Sequence, residues 1–155
     1  MVVVSNSSPI IALAEIAQLP LLAHLFESVL IPPAVAAEIT PTVSTLPAWL
    51  RMVPLQEAVP ADVIRPSLGH GEREALSLAA ELDADWLILD DLAARRVART
   101  LHLRVTGTLG VLLASKRRGF IPLVRPSLDR LIEQSFFLSP QLYAELMALA
   151  GEDPS

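Results

Sequence analysis

The chain has 155 residues, is 52% hydrophobic and 19% charged, lacks cysteine and carries a net charge of −5. That length suits one domain, spanning 1–155, with a single substantial core. The missing cysteines exclude disulfides, thiolate metal sites and cysteine nucleophiles. The longest apolar stretch, PIIALAEIAQLPLLAHLF, is broken by Glu15, Gln18, Pro20 and His24, short of the ~20 clean residues of a membrane-spanning helix. With no basic leader at the start, a soluble cytoplasmic protein is expected.

Residues 2–5 are β-branched up to Ser5 and bounded by the polar run Asn6, Ser7, Ser8, the pattern of a short buried strand. Pro9 suits a first helical position with Ser7 or Ser8 as N-cap, and apolar residues at 10, 11, 13, 14 and 17 continue a helical period. A second short helix runs from Pro20 to Phe26, SVLIP reads as a strand, and Pro33 opens the helix PAVAAEI. Residues 40–68 hold five prolines and read as an irregular or lid-like segment, with one possible strand at RMVPLQ.

GHGEREALSLAAELDAD is the clearest helix, with Glu72 and Glu74 in its first turn. WLIL is a strand ending on Asp90 and Asp91, LAARRVARTLH a helix, RVT a strand and LGVLLASKRRG a helix. Helices near 126–135 and 140–150 complete the chain. Alternating strands and helices imply an α/β sandwich around a mostly parallel sheet.

Charge is unevenly spread. Nine of the twelve basic residues fall between positions 95 and 130, where Asp129 is the one acidic residue. Such an asymmetry can set a basic surface beside an acidic cleft, although each arginine alone reads more simply as part of a solvated helix face.

In a parallel α/β sheet, ligands gather outside the carboxyl ends of the strands. Asn6 follows the first strand and Asp90-Asp91 the strand WLIL, while Glu38 lies on a mostly apolar helix and Glu72 opens another. Carboxylate and carboxamide oxygens are the donors Mg²⁺ or Mn²⁺ prefers, and a divalent cation relieves the repulsion of clustered acids. Singly, Glu72 could serve the helix dipole and Asp90 or Asp91 a helix cap. The metal reading rests on the set.

Four stretches, VVVSNSSPIIALAEI, VLIPPAVAAEI, GHGEREALSLAAELDADWLILDDLAARRVA and VTGTLGVLLASKRRGFIP, resemble in order and spacing the PIN-domain ribonucleases, in particular a prokaryotic branch related to the VapC toxins. The resemblance implies a PIN-like three-layer α/β/α sandwich and an acidic cleft that binds Mg²⁺ or Mn²⁺ and hydrolyses single-stranded RNA. It places catalytic and metal-binding roles on Asn6, Glu38, Glu72 and Asp91, with Asp90 as a further metal neighbour. Ser8 occupies the place where the family often carries a small hydroxyl residue. By position, Arg95 and Arg96, about one helical turn after Asp91, and Thr108 are further candidate substrate contacts, although Arg95 could equally pair with Asp91 and Thr108 could simply cap a helix. It further implies the toxin half of a toxin–antitoxin pair with a small antitoxin protein as partner, and a homodimer. The chain departs from the family pattern at Asn6, where aspartate is usual, and at Gly107-Thr108, where many members carry another aspartate. Those departures support an alternative: an attenuated PIN fold that binds nucleic acid or protein as a regulatory module.

Overall fold

The computed structural model describes residues 1–57 and 68–153. Five short strands, β1 (Val3–Ser5), β2 (Val29–Ile31), β3 (Leu50–Met52), β4 (Trp86–Ile88) and β5 (Val105–Thr106), form one sheet in the order β3-β2-β1-β4-β5. Every pairing is parallel, with Val4 opposite Leu30 and Leu87, and Leu87 opposite Val105. The sheet is thus laid down outward from β1 to β3, and the chain then crosses back to add β4 on the other side of β1. That reversal leaves a crevice at the carboxyl ends of β1 and β4, where adjoining connections leave in opposite directions.

Successive strand residues point to opposite faces. Val3 and Val4 are both buried, as are Leu87 and Ile88, so both faces of the sheet are covered and the strands read as unbroken apolar runs. The covering elements are α1 (Ser7–Glu15), α2 (Leu21–Phe26), α3 (Pro33–Ile39), α4 (His70–Glu81), α5 (Leu92–Thr100), α6 (Thr108–Arg117), α7 (Arg125–Glu133) and α8 (Pro140–Ala150). One group packs through α6, which touches α1, α2 and α8; another packs through α4, which touches α3 and α5. The expected α/β sandwich with a parallel sheet is therefore the architecture observed.

Two details differ from expectation. α1 begins at Ser7 rather than Pro9, because Asn6 occupies the N-cap with extended backbone (φ −78°, ψ 171°). RMVPLQ contributes only Arg51 and Met52 to the edge strand β3, which begins one residue earlier at Leu50; residues 58–67 of the 40–68 segment lie outside the described residues. Among the described residues no helix is long and apolar enough to cross a membrane.

The end of α8 is fastened to its neighbours mainly through Glu152, with Lys116 Nζ also donating to Ala150 O at 2.5 Å. Glu152 accepts from Lys116 Nζ at 2.9 Å, from Val124 N at 2.8 Å and from Arg125 N at 3.2 Å, tying the chain beyond α8 to α6 and to the start of α7. α8 itself buries only Leu146 and Met147, and leaves Leu142 and Leu149 on its exposed side.

Leu87 sits fully buried in β4 between β1 and β5. Leu87→Ala removes core contacts that the paired strands cannot close around, so it should destabilise by about 2–5 kcal/mol. Urea unfolding checks this; a loss below 1 kcal/mol would mean that β4 is not the packed centre of the sheet.

Candidate active site

All four connections from β1, β2, β4 and β5 enter helices, so the carboxyl edge of the sheet is rimmed by helix N-termini. Asn6 stands at its centre. Its N–H donates to Ile88 O at 2.9 Å, extending the β1–β4 ladder by one bond. Its side chain is 2% exposed, makes no capping bond to α1, and leaves Oδ1 buried without a partner. An N-cap asparagine ordinarily spends that oxygen on the helix. Here it is free.

Glu38 comes from the last turn of α3 and accepts a hydrogen bond from the Ser7 hydroxyl on Oε2 at 2.5 Å. Its carboxylate packs directly on the Cα of Gly71, where a Cβ would collide with all three carboxylate atoms. α3 is itself anchored from α4, because Glu74 Oε1 accepts from Ala34 N at 2.9 Å in the first turn of α3. Pro32 and Pro33 supply no capping side chain there. Glu74 Oε2 also meets His70 Nε2 at 3.1 Å.

Glu72 divides its two oxygens between structure and site. Oε1 closes the first turn of α4 by accepting from Gly69 N at 3.0 Å, whereas Oε2 is buried and has no hydrogen-bond partner. Burial raises the Glu72 pKa, the Gly69 bond opposes the rise, and the nearby Asp91 and Glu38 carboxylates add to it. When both acids are ionised, Glu72 and Asp91 meet as two acceptors with no proton between them. Asp91 shows the same division of labour: its Oδ2 caps α5 through Ala94 N at 2.8 Å while the group faces Glu72.

Asp90 is employed differently. Thr108 donates to it twice, from N at 2.8 Å and from the hydroxyl at 2.6 Å, which ties the end of β4 to the start of α6. Arg95 Nε donates to Leu89 O at 2.8 Å.

A family model described as DUF3368, a PIN domain, matches residues 2–152. The chain belongs to the PIN-domain family. Among solved structures it is similar to a PilT N-terminus domain protein, SSO1118, from the hyperthermophilic archaeon Sulfolobus solfataricus P2. The two share 18% identity over 74% of this chain and 93% of that one, with a TM-score of 0.56. At that identity the likeness concerns the fold. No curated protein matches the sequence. PIN domains are generally nucleases that bind nucleic acid and use divalent metal ions.

This PIN domain brings Glu72 and Asp91 face to face, sets Glu38 within electrostatic reach of them, and places Asn6 at the switch point between β1 and β4. Among the described residues no three His, Asp or Glu side chains form a ready-made metal shell. The donor chemistry nevertheless fits a hard divalent cation: two buried oxygens, Asn6 Oδ1 and Glu72 Oε2, lack any partner, and unpaired buried oxygens beside crowded carboxylates are stabilised by a cation.

Other candidate residues lie elsewhere or are already engaged. Thr108 is fully buried with N–H and hydroxyl both given to Asp90, so both donors are spent holding a neighbouring acid in place. Ser8 is exposed and lines a groove of about 240 Å³ with Ile11, Leu131 and Phe136; the hydroxyl that meets the acids is that of Ser7. Arg95 makes no ion pair with Asp91, no carboxylate oxygen among the described residues lying within 4.0 Å of its nitrogens, and its Nε donates to Leu89 O; Arg96 is exposed on α5. Sequence reasoning missed Ser7 as a partner of Glu38. It also missed Gly71, although a glycine inside the first turn of a helix is itself a signal of close approach.

Because folding raises the Glu72 pKa, the folded state holds that proton more tightly than the unfolded chain. The resulting stabilisation is present at low pH and is lost as pH rises through the raised value. Glu72→Gln keeps the bond to Gly69 N and turns an amide N–H toward Asp91. In EDTA, its melting temperature relative to wild type should climb as pH rises from 4 to 8; a pH-independent difference would contradict the crowded-carboxylate geometry.

Proposed function

We propose that this PIN domain is an endoribonuclease dependent on Mg²⁺ or Mn²⁺ that hydrolyses phosphodiester bonds of single-stranded RNA, acting as the toxin of a toxin–antitoxin pair. The observation that carries this reading is the buried, unpartnered Oε2 of Glu72 crowded by Asp91, with a second unpartnered oxygen, Asn6 Oδ1, at the end of the neighbouring strand β1. Glu72, Asp91 and Asn6 would hold a metal ion, with Glu38 as the outer acid. When bound, such an ion lowers the pKa of water and stabilises charge on a phosphate under attack.

The chain's own residues prepare that chemistry. The Ser7 hydroxyl and the bare Cα of Gly71 fix the rotamer of Glu38. The bonds from Gly69 N and Ala94 N hold one oxygen each of Glu72 and Asp91, so their remaining oxygens are oriented before any ligand arrives. That preorganisation removes reorganisation from the reaction step. The basic residues clustered between positions 95 and 118 suit the phosphate backbone of the RNA.

A second reading is favoured by one feature. Asn6 contributes an oxygen without charge, and no three described acids make a metal shell on their own; an attenuated PIN fold retained for binding is consistent with both.

Cleavage of an end-labelled single-stranded RNA in millimolar Mn²⁺ separates the two. The nuclease reading expects metal-dependent cleavage by wild type and a fall of roughly 100-fold or more in Asp91→Asn, the scale of losing one group oriented for the transition state. An inactive wild type whose cleavage appears only in Asn6→Asp would favour the attenuated module.

A further inference from the structure

Arg95 is bound at one edge of its guanidinium and open at the other. Its Nε donates to Leu89 O at 2.8 Å, fixing the group across the carboxyl ends of β4 and β5. The side chain is partly buried, yet among the described residues no carboxylate oxygen comes within 4.0 Å of its nitrogens. A guanidinium carries five N–H donors in a rigid fork and keeps its charge at any physiological pH. Held half out of water by one neutral carbonyl, it retains most of its donors and its charge for an anion.

The slot it occupies exists only because residue 107 is glycine. A Cβ there would collide with the terminal nitrogen of Arg95 and with Asp90 Oδ1. Gly107 has φ −125° and ψ −172°, an extended conformation open to any residue, so the backbone does not demand glycine. The space does. Asp90, the acid closest to this slot, is turned toward Thr108, which donates to both of its oxygens.

We propose that Arg95, seated over Gly107, is a fixed docking point for a backbone phosphate of single-stranded nucleic acid, one strand along the sheet edge from Asp91 and two from Asn6. Resting on the nuclease reading, the slot sets where the substrate backbone crosses the acidic site. A planar fork anchored through Nε leaves its two terminal nitrogens parallel, the geometry that takes two phosphate oxygens at once. Exposed arginines on the same helix, such as Arg99, lack that fixation and add only diffuse attraction.

Fluorescence anisotropy of a labelled decauridylate in Ca²⁺, titrated with salt, reads this directly, with Mn²⁺ calorimetry run on the same proteins. Arg95→Gln should weaken binding about tenfold or more and lower the salt slope by about one phosphate contact, while Mn²⁺ affinity stays at the wild-type level. Arg95→Lys, which keeps the charge and loses the fork, should recover less than half of the lost binding energy. Gly107→Ala, checked for folding by its melting temperature, should weaken binding with every charge still present. Wild-type binding by Arg95→Gln, or an equal loss in Arg99→Gln, overturns the proposal. If Mn²⁺ fails to bind the wild type while the Arg95 dependence persists, the nuclease reading falls and the docking point stands; if Mn²⁺ binds and Arg95→Gln is neutral, only the docking point falls.

Discussion

Like-charge crowding at the carboxyl edge of the sheet is the constraint around which the molecule is arranged. Glu72 is half-buried and faces Asp91, with Glu38 in electrostatic reach, an arrangement that opposes folding when all three are ionised. The fold tolerates it by giving each acid a structural bond that does not exhaust it. Gly69 N takes one oxygen of Glu72, Ala94 N one of Asp91, and the Ser7 hydroxyl one of Glu38. The first two bonds satisfy helix ends that need an acceptor in any case. The acids are therefore anchored by secondary structure, and their second oxygens are left for chemistry.

The parallel topology explains why these groups meet although they are far apart in sequence. Strand order reverses at β1, so the connections leaving β1 and β4 diverge and open a crevice between them. Asn6 closes the floor of that crevice, and its N–H continues the ladder to Ile88 O. A neutral amide in that place lowers the repulsion among the three acids while still presenting an oxygen. Asn6 thus leaves the crevice with one negative charge fewer than an aspartate there would bring.

Much of this was legible in the sequence. The alternation of β-branched runs with helical periods located four strands and eight helices, because buried parallel strands need apolar residues and so stand out as runs; β3, with Arg51 and Met52 exposed, showed only as a possible strand. The acids at strand ends and helix starts marked the site for the same topological reason. Contacts between distant segments were not legible. That Ser7 reaches Glu38, that Asp90 is spent on Thr108, and that Gly71 and Gly107 are spaces kept clear for other side chains depend on where α3, α4, α5 and α6 are set against each other. No local pattern encodes that placement. The N-cap of α1 is Asn6, one or two residues before the expected Ser7 or Ser8, because Pro9 is equally at home later in the first turn when Ser7 leads it.

The central claim is that the unpartnered oxygens of Asn6 and Glu72 are two corners of one cation site. A crystal of the protein soaked in millimolar Mn²⁺ and measured at the manganese absorption edge tests it most directly. The expected result is an anomalous peak about 2.1 Å from Asn6 Oδ1 and Glu72 Oε2, with Asp91 completing the contact. A crystal with no peak in the crevice, or with manganese held only by other residues, would contradict it.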